Sequence, residues 1–426
     1  MANGSSDSVP GAMRVLEVLP RTAAVDGRLT IGGCALADVA ATFGTPAFVV
    51  DEVSLRATAR EYREEFERRH PGTDVHFASK ALPCAPVTRI LAEEGLGCDV
   101  ASGGELAIAL AAGFDPAHIL LHGNAKSDRD IGDALAAGVG VIVIDGPDDV
   151  DRLQRLATAP QKVLLRVNPA VPGVTHTAMD TGSPEAKFGV SIEEAPRLLE
   201  RMERVEQLDL LGLHVHIGSQ LLDLDGFSRA AEAIAALGDF GTYDLGGGLG
   251  IRYRPEDGAP TIADYAEATV TALHTHLSRE AQLIVEPGRS VVGRSMVTLY
   301  SVVTVKRGAL THVAVDGGMG DNLEPMLYGQ RFAPFILDAD RDRQDEICEL
   351  VGHHCESGDV LERGVELATP QVGDHVVMPV TGAYCYSLSN NYNGARRPPV
   401  VICRDGDARL AVRRETMEDL LARSIL

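Results

Sequence analysis

The chain has 426 residues, enough for two domains of ordinary size, and a content of 45% hydrophobic and 23% charged residues that is typical of a globular protein. A net charge of −22 opposes binding to nucleic acid or to an anionic membrane surface, so we expect neither partner. Residues 1–12 lack the apolar core of a signal peptide, and no apolar run approaches the roughly 20 residues that span a bilayer. Seven cysteines without metal-type pairing favour reduced thiols. The sequence therefore predicts a cytoplasmic protein.

Apolar runs alternate with helix-like stretches from about residue 45 to about residue 299. The predicted strands are AFVV at 47–50, VHFAS at 75–79, CDVAS at 98–102, ILLHG at 119–123, VIVID at 141–145 and VLLRV at 163–167, followed by LLGL, TYDL and QLIV. Strands that alternate with helices indicate parallel βα units, and eight or nine such units favour a closed (β/α)8 TIM-type barrel over an open sheet, which remains the alternative. We assign the barrel of this α/β protein to residues 45–299.

After residue 299 the pattern changes to short segments such as HVVMPVTGAY and PVVICRDG, punctuated by glycine, aspartate and asparagine. This pattern is typical of an antiparallel β domain, which we assign to residues 300–426. Residues 1–44 share the pattern and contain a hairpin-like VDGR turn, so we expect N-terminal strands to complete the C-terminal domain.

Three motifs follow the last three predicted barrel strands: HVHIGS at 214–219, GGGLG at 246–250 and EPGR at 286–289. TIM-type barrels build their active sites from polar residues at the carboxyl ends of strands. Glycines allow backbone N–H groups to approach a phosphate closely, and an arginine adds a charge-assisted contact. The three motifs together predict an enzyme with a phosphate-bearing cofactor, although EPGR alone also fits a tight turn with a structural ion pair.

Two other places in the sequence suit amine chemistry. Lys80 ends an early predicted strand, where a buried lysine of lowered pKa can bind a carbonyl group, although an ordinary basic residue is the commoner explanation of one such lysine. Cys355 and Glu356 place a thiol beside a carboxylate, a pair that can move a proton and hold an amine. A turn with a buried cysteine is the alternative for that segment.

His214 and His216 face the same side of a predicted strand. They fit either a metal pair, as in barrel hydrolases, or one packed histidine and one that stacks on a cofactor ring. A metal site needs further histidine or carboxylate ligands, whereas the later strand ends offer glycines, Arg289 and one carboxylate, so we predict no metal.

Two further motifs join these: Asp316-Gly317-Gly318-Met319 and Gly382-Ala383-Tyr384-Cys385-Tyr386-Ser387. Together the motifs resemble those of the diaminopimelate decarboxylase family of alanine-racemase-like pyridoxal 5'-phosphate (PLP) enzymes, and of its actinobacterial members above all. The resemblance covers nearly the whole chain, from about residue 45 to 419. It implies PLP-dependent α-decarboxylation of a small amino acid, meso-diaminopimelate to L-lysine and CO2, by a homodimer with shared active sites. A racemase and a non-catalytic regulator on the same fold remain alternatives, and retention of both Lys80 and Cys355 counts against the regulator.

The resemblance also implies roles for single residues. Lys80 would hold PLP covalently, His216 would stack on its ring, and Glu286 would pair with its pyridine nitrogen. The implied phosphate-binding residues are Ser219, Gly246, Gly247, Gly248, Arg289 and Tyr384. From the second protomer, Cys355 would help protonate the substrate carbon and Glu356 would bind the distal amine. The implied substrate-binding positions are Arg289, Glu324, Tyr328, Glu356 and Tyr384.

One of these positions departs from the family pattern Asp-Asn-x-Arg-x-x-Leu-Tyr, whose arginine binds the distal carboxylate. The chain has Asp321-Asn322-Leu323-Glu324-Pro325-Met326-Leu327-Tyr328, with Glu324 at the arginine position. Loss of a charge-assisted contact costs roughly 1.5–3 kcal/mol, and an opposing charge adds repulsion. Either Arg331 or Arg294 compensates, or Glu324 turns outward, or the substrate lacks that carboxylate. In the third case the substrate is an amide, a carrier-protein thioester or a cationic analogue, which implies specialised metabolism.

Overall fold

The computed structural model describes residues 15–171, 186–340 and 342–425. The stretch at 1–12 that we examined for a signal peptide lies outside the described residues. The described chain forms two compact units. One comprises Arg56–Ile251 and Gly258–Val291, and the other comprises the residues up to Leu55, Arg252–Asp257 and the chain from Val292 onwards.

The N-terminal strands form a small sheet of their own. Strands β1 (Ala24–Asp26), β2 (Arg28–Ile31) and β3 (Cys34–Ala35) pair in order, and helix α1 (Leu36–Phe43) follows them. The next strand, β4 (Ala47–Asp51), is not the barrel strand that we predicted, because it pairs with two strands of the second unit described below. All five of its residues are buried, and a wholly apolar run does not reveal which sheet a strand joins.

Eight parallel strands close the barrel of the first unit, which confirms the predicted TIM-type fold. They are β5 (Asp74–Ala78), β6 (Gly97–Val100), β7 (Ile119–Leu121), β8 (Val141–Ile144), β9 (Gln161–Asn168), β11 (Leu208–His214), β12 (Thr242–Asp244) and β13 (Gln282–Val285), with β10 (Val190–Ser191) paired to β9. The barrel closes where β13 pairs with β5. Strands β6, β7, β8 and β12 are buried throughout, as expected of parallel strands that helices cover.

Helices alternate with the barrel strands along the chain. They are α2 (Glu52–Arg69), α3 (Ala85–Glu93), α4 (Gly103–Ala112), α5 (Asp128–Ala137), α6 (Pro147–Leu156), α7 (Ala195–Met202), α8 (Asp225–Ala235), α9 (Ile262–His276) and α10 (Arg289–Val292). Local sequence sets several of their ends: the Ser127 hydroxyl caps the first turn of α5, and Gly138 ends that helix in the left-handed conformation. Short 3-10 helices occur at Leu16–Val18, Ser79–Ala81, Pro116–His118, Gly293–Ser295 and Tyr392–Gly394.

The second unit is built on a nine-stranded mixed sheet. Its strands are β4, β14 (Met296–Arg307), β15 (Thr311–Val315), β16 (Phe335–Ile336), β17 (Asp345–Val351), β18 (Val360–Ala368), β19 (His375–Met378), β20 (Val400–Arg404) and β21 (Asp407–Val412), and its helices are α11 (Glu324–Tyr328) and α12 (Met417–Leu421). Most pairs are antiparallel, as predicted, but β15 with β17 and β4 with β20 are parallel. The strands of residues 1–44 lie in the same unit but do not join this sheet, because β1 to β3 pair only with one another; the strand that does join it, β4, comes from the range that we assigned to the barrel. Within the described ranges, no helix is long and apolar enough to cross a membrane.

Candidate active site

The three motifs meet at one edge of the barrel because they follow adjacent parallel strands. His214 ends β11, Asp244 ends β12, and Glu286 follows β13. Backbone hydrogen bonds join the strand ends: Val215 N donates to Asp244 O over 2.9 Å, and Glu286 N donates to Gly246 O over 3.0 Å. The carboxyl ends of the strands therefore gather the predicted cofactor residues of this unit.

The glycine motif is packed so closely that a side chain has no room. A Cβ atom on Gly247 would lie 2.0 Å from the carbonyl oxygen of Glu286, and one on Gly248 would lie 2.4 Å from that of Gly218. Gly246 and Gly248 also adopt φ angles of +68° and +115°, which favour glycine. The loop is thus held between the other two motifs, with its backbone unobstructed by side chains, as a phosphate cradle requires.

A buried guanidinium lies beside this loop. Arg289, the first residue of α10, is 5% exposed, and its Nε donates to Ser219 Oγ over 3.5 Å. A buried cation, a hydroxyl and a glycine loop make a donor set that suits a phosphate dianion. The chemistry of these residues therefore fits the phosphate of PLP.

Lys80 lies in the 3-10 helix that follows β5, and it is exposed. Our expectation that burial desolvates this amine is not met in the structure. Lys80 is close enough to His216 for its charge to act on that ring: burial first, and then the Lys80 charge, hold the pKa of His216 well below its usual value. A neutral His216 ring accepts a hydrogen bond at Nδ1 from Gly247 N over 3.2 Å, which fixes its position against the glycine loop.

Glu286 contacts two histidines inside the barrel. His122 Nε2 lies 2.5 Å from Oε1, and His214 Nε2 lies 3.3 Å from Oε2. Burial alone would raise the pKa of Glu286, but the two histidines outweigh it and hold the pKa well below the usual value. The carboxylate is therefore ionised in a dry site, as pairing with a pyridinium nitrogen requires.

His122 and Asp244 are site residues for which we predicted no role from the sequence. Both occur where a buried strand ends, His122 directly after β7 and Asp244 as the last residue of β12. That position is the same signal that drew attention to Glu286, so a systematic search of barrel strand ends would have found them.

The structure does not group His214 with His216 as the alternative of a metal pair required. Among the described residues, the close group of ligand-type atoms joins His214 to His122, Asp244 and Glu286, and it does not include His216. Two ligands of a tetrahedral zinc ion, each about 2.0 Å from the metal, lie roughly 3.3 Å apart. The 2.5 Å between His122 and Glu286 is shorter than that and is the distance of a direct ion-pair contact.

Cys355 and Glu356 belong to the second unit, in the turn between β17 and β18. Both are exposed, so the alternative of a buried cysteine is wrong, although the other six cysteines are buried. The buried carboxylate of Asp359 holds the turn by accepting hydrogen bonds from Met319 N over 2.7 Å and from His354 N over 2.8 Å. The turn thus presents a thiol and a carboxylate to solvent from a fixed backbone.

Glu324 and Tyr328 are the first and last residues of α11 in the same unit. Glu324 is 1% exposed and accepts a hydrogen bond at Oε2 from the Tyr253 hydroxyl over 3.2 Å, so it does not turn outward. Tyr328 is half-buried. Tyr384 has a φ of +64°, an unusual conformation for tyrosine that often marks functional sites.

Neither of the two arginines that we considered as substitutes is free of other contacts. Arg331 forms an ion pair with the buried Glu362 and donates to Arg363 O over 2.8 Å. Arg294 donates to Leu19 O over 2.6 Å. Both arginines are therefore already engaged within their own unit.

The fold and the residues of the candidate phosphate site indicate a class of enzyme, and sequence comparison agrees with that class. Residues 53–293 match the family model described as pyridoxal-dependent decarboxylase, pyridoxal binding domain. The chain is therefore a PLP-dependent amino-acid decarboxylase.

Relatives that match nearly the full length of the chain identify a family within this class of enzymes. The chain is 45% identical over 412 residues to the diaminopimelate decarboxylase of Actinosynnema pretiosum subsp. auranticum, covering 94% of this chain and 93% of that protein. It is 42% identical to the enzyme of the same name from Mycobacterium tuberculosis strain H37Rv, covering 95% of this chain and 97% of that protein. The chain belongs to the diaminopimelate decarboxylase family and, as predicted, has close actinobacterial relatives.

Solved structures show the same fold. The diaminopimelate decarboxylase of M. jannaschii in complex with L-lysine superposes with a TM-score of 0.89 at 30% identity, covering 98% of this chain and 99% of that one. The Helicobacter pylori enzyme, also with L-lysine, gives a TM-score of 0.85 at 29% identity, covering 91% and 98%.

Proposed function

We propose that the chain removes CO2 from the α-carbon of a diamino acid of the diaminopimelate type, with PLP as its cofactor. Lys80 would bind the cofactor covalently, His216 would cover its ring, and Glu286 would pair with its nitrogen. The phosphate would be held by Ser219, Gly246, Gly247, Gly248, Arg289 and Tyr384. Bound PLP supplies the electron sink for the bond that breaks at the α-carbon.

The remaining residues orient the substrate and move its protons. The Cys355 thiol would help to deliver a proton to the carbon that has lost CO2, and Glu356 would bind a distal amine as an ion pair. Arg289, Tyr328 and Tyr384 would contact the substrate. The Lys80 amine would release the product by taking its place again on the cofactor.

We propose that Cys355 and Glu356 act in the active site of a second copy of the chain. Their exposure on a turn fixed by Asp359 supports this arrangement, because the side chains are presented to solvent without a mobile backbone. The working enzyme is then a homodimer. We propose the cytoplasm as its location, which is supported by the seven cysteines, all free thiols.

Mixing inactive variants tests the shared site. Lys80→Ala and Cys355→Ala are each expected to be nearly inactive, but subunits exchanged in equal amounts should regain up to about a quarter of wild-type activity, because half of the dimers are mixed and each has one intact site. A mixture of Lys80→Ala with Glu286→Gln is the control and should stay inactive, since both residues serve the same site. No recovery in mixed dimers of Lys80→Ala and Cys355→Ala would place Cys355 in its own protomer's site.

We propose further that the substrate carries no free carboxylate at its distal end. The observation that supports this is the buried Glu324, hydrogen-bonded to Tyr253, at the position where the family pattern has an arginine. An anion there would repel a distal carboxylate but would attract an amide N–H or a cationic group. An amide, a carrier-protein thioester or a cationic analogue fits, and a carrier protein would then be a partner in specialised metabolism.

A screen of CO2 release by the wild-type protein decides the substrate. Candidate substrates are meso-diaminopimelate, lysine, ornithine, arginine, glutamate, and the amide and thioester forms of the diacids. We expect kcat/KM for a substrate with a masked distal carboxylate to exceed that for meso-diaminopimelate by at least about tenfold, the value of one lost charge-assisted contact. Gas release without any such preference would contradict the masked-substrate proposal and leave the decarboxylase itself intact.

The second candidate is meso-diaminopimelate itself. The relatives named above carry that activity in their names and match this chain over nearly its whole length, which supports the same substrate here. The same screen distinguishes the two, because only this candidate makes meso-diaminopimelate the preferred substrate and L-lysine the product.

A further inference from the structure

Four buried side chains meet inside the barrel at the carboxyl ends of β7, β11, β12 and β13. They are His122, His214, Asp244 and Glu286, and one polar atom of each lies within 4.8 Å of those of the others. His122 is 6% exposed and Asp244 is fully buried. The proposed reaction uses Glu286 and leaves the other three without an assigned task.

The two histidines contact different oxygens of the same carboxylate. His122 contacts Oε1 and His214 contacts Oε2, and the two rings meet edge to face with centroids 4.9 Å apart. A carboxylate with a ring nitrogen on each oxygen has little freedom to rotate. The contacts therefore fix the orientation of Glu286 as well as its charge.

The four groups differ in whether their surroundings favour the charged or the neutral form. Burial acts to lower the pKa of His122, but the charges of Glu286 and Asp99 outweigh it and raise the pKa above its usual value. Burial brings the pKa of His214 down to about 3, so that ring is neutral. Burial and the Glu286 charge hold the pKa of Asp244 well above its usual value, which favours its neutral form. Of the two histidines, His122 is the one whose cationic form is favoured, and Asp99 Oδ1 lies 3.8 Å from its Nε2.

We propose that His122 is a positioning residue for the cofactor. Held between Glu286 and Asp99, it keeps the Glu286 carboxylate ionised and in one orientation for the pyridine nitrogen. Without this cation, desolvation would favour the protonated form of Glu286, and a neutral acid binds a pyridinium more weakly than an anion does. The inference rests on the proposed pairing of Glu286 with that nitrogen.

The test uses full-length protein in which the glutamate carboxyl carbons carry ¹³C. In wild-type apoprotein the resonance that Glu286→Gln removes should be that of an ionised carboxylate at neutral pH. In His122→Asn the same resonance should move to the position of a protonated acid, and the Kd for PLP, measured by equilibrium dialysis, should rise by roughly tenfold or more. His70→Asn is the control, because His70 is also a buried barrel histidine, yet it contacts Ala281 O over 2.9 Å and lies outside the cluster. It should bind PLP as the wild type does.

The outcomes separate this inference from the proposal on which it rests. If Glu286→Gln weakens PLP binding but His122→Asn leaves both the resonance and the Kd unchanged, the role of His122 is overturned alone. If Glu286→Gln has no effect on PLP binding, the pairing of Glu286 with the ring nitrogen fails and the inference fails with it. Should His122→Asn not fold, the ¹⁵N resonances of His122 in the wild type decide, because a neutral imidazole beside an ionised Glu286 contradicts the proposed cation.

Discussion

Replacement of Lys80 with alanine is expected to remove the visible absorbance band of the PLP-loaded protein and to lower decarboxylation by at least about 10³-fold. The physical reason is that Lys80 supplies the only amine that we place at the cofactor, whereas we assign Arg289, Ser219 and the glycine loop to the proposed phosphate site. PLP should therefore still bind, but without a covalent link. Borohydride followed by mass spectrometry should fix the cofactor on the wild-type chain and not on Lys80→Ala.

A second lysine of the barrel provides the control. Lys162 is an exposed residue of β9, so Lys162→Ala changes the same side chain away from the strand ends that hold the cofactor motifs. That variant should keep the band, the borohydride adduct and the activity. An adduct that survives in Lys80→Ala would show that another lysine carries the cofactor.

Replacement of Glu324 with arginine should raise kcat/KM for meso-diaminopimelate by roughly 10- to 100-fold. The change removes a buried carboxyl group and supplies the cation that the family pattern has at this position, and a charge-assisted contact is worth roughly 1.5–3 kcal/mol. The same variant should lose activity on a substrate with a cationic distal group. The measurement is CO2 release over a range of substrate concentrations.

Two further variants separate charge from shape. Glu324→Gln keeps the size of the side chain and removes its charge, so its gain on meso-diaminopimelate should be smaller than that of Glu324→Arg. Tyr253→Phe removes the hydrogen bond to Glu324 and keeps the charge, so it should leave the order of substrate preference unchanged. If the wild type already processes meso-diaminopimelate as efficiently as Glu324→Arg does, Glu324 does not set specificity.

The sequence predicts the barrel well because its signal is local. A buried parallel strand is a short apolar run, and a helix between two such runs has its own periodicity, so the eight strands of the barrel could be located without knowledge of their partners. The same signal fails for β4, since an apolar run of five buried residues fits a barrel and a mixed sheet equally well. Its pairing with β14 and β20 depends on residues about 250 and 350 positions away.

The sequence likewise predicted some features of the candidate site and not others. Motifs with glycine, arginine and glutamate at strand ends revealed the residues that we assign to the cofactor. The sequence did not reveal that Lys80 is exposed, that Glu324 is buried or that His122 contacts Glu286, because each of these facts depends on what neighbouring strands bring nearby. Residue type and spacing predict which chemistry is available, and packing decides the charge and direction of each group.

The pairing of β13 with β5 has a consequence for folding. Lys80 follows the first strand of the barrel and Glu286 follows the last, so about 200 residues of chain separate two groups that we propose serve one cofactor. They become neighbours only when the final pair of strands closes the cylinder, and a partly assembled chain lacks the complete site. Bound PLP then stabilises the closed state by mass action, in proportion to the logarithm of its concentration over its Kd. The cofactor would thus stabilise the contact between the first and the last strand of the barrel.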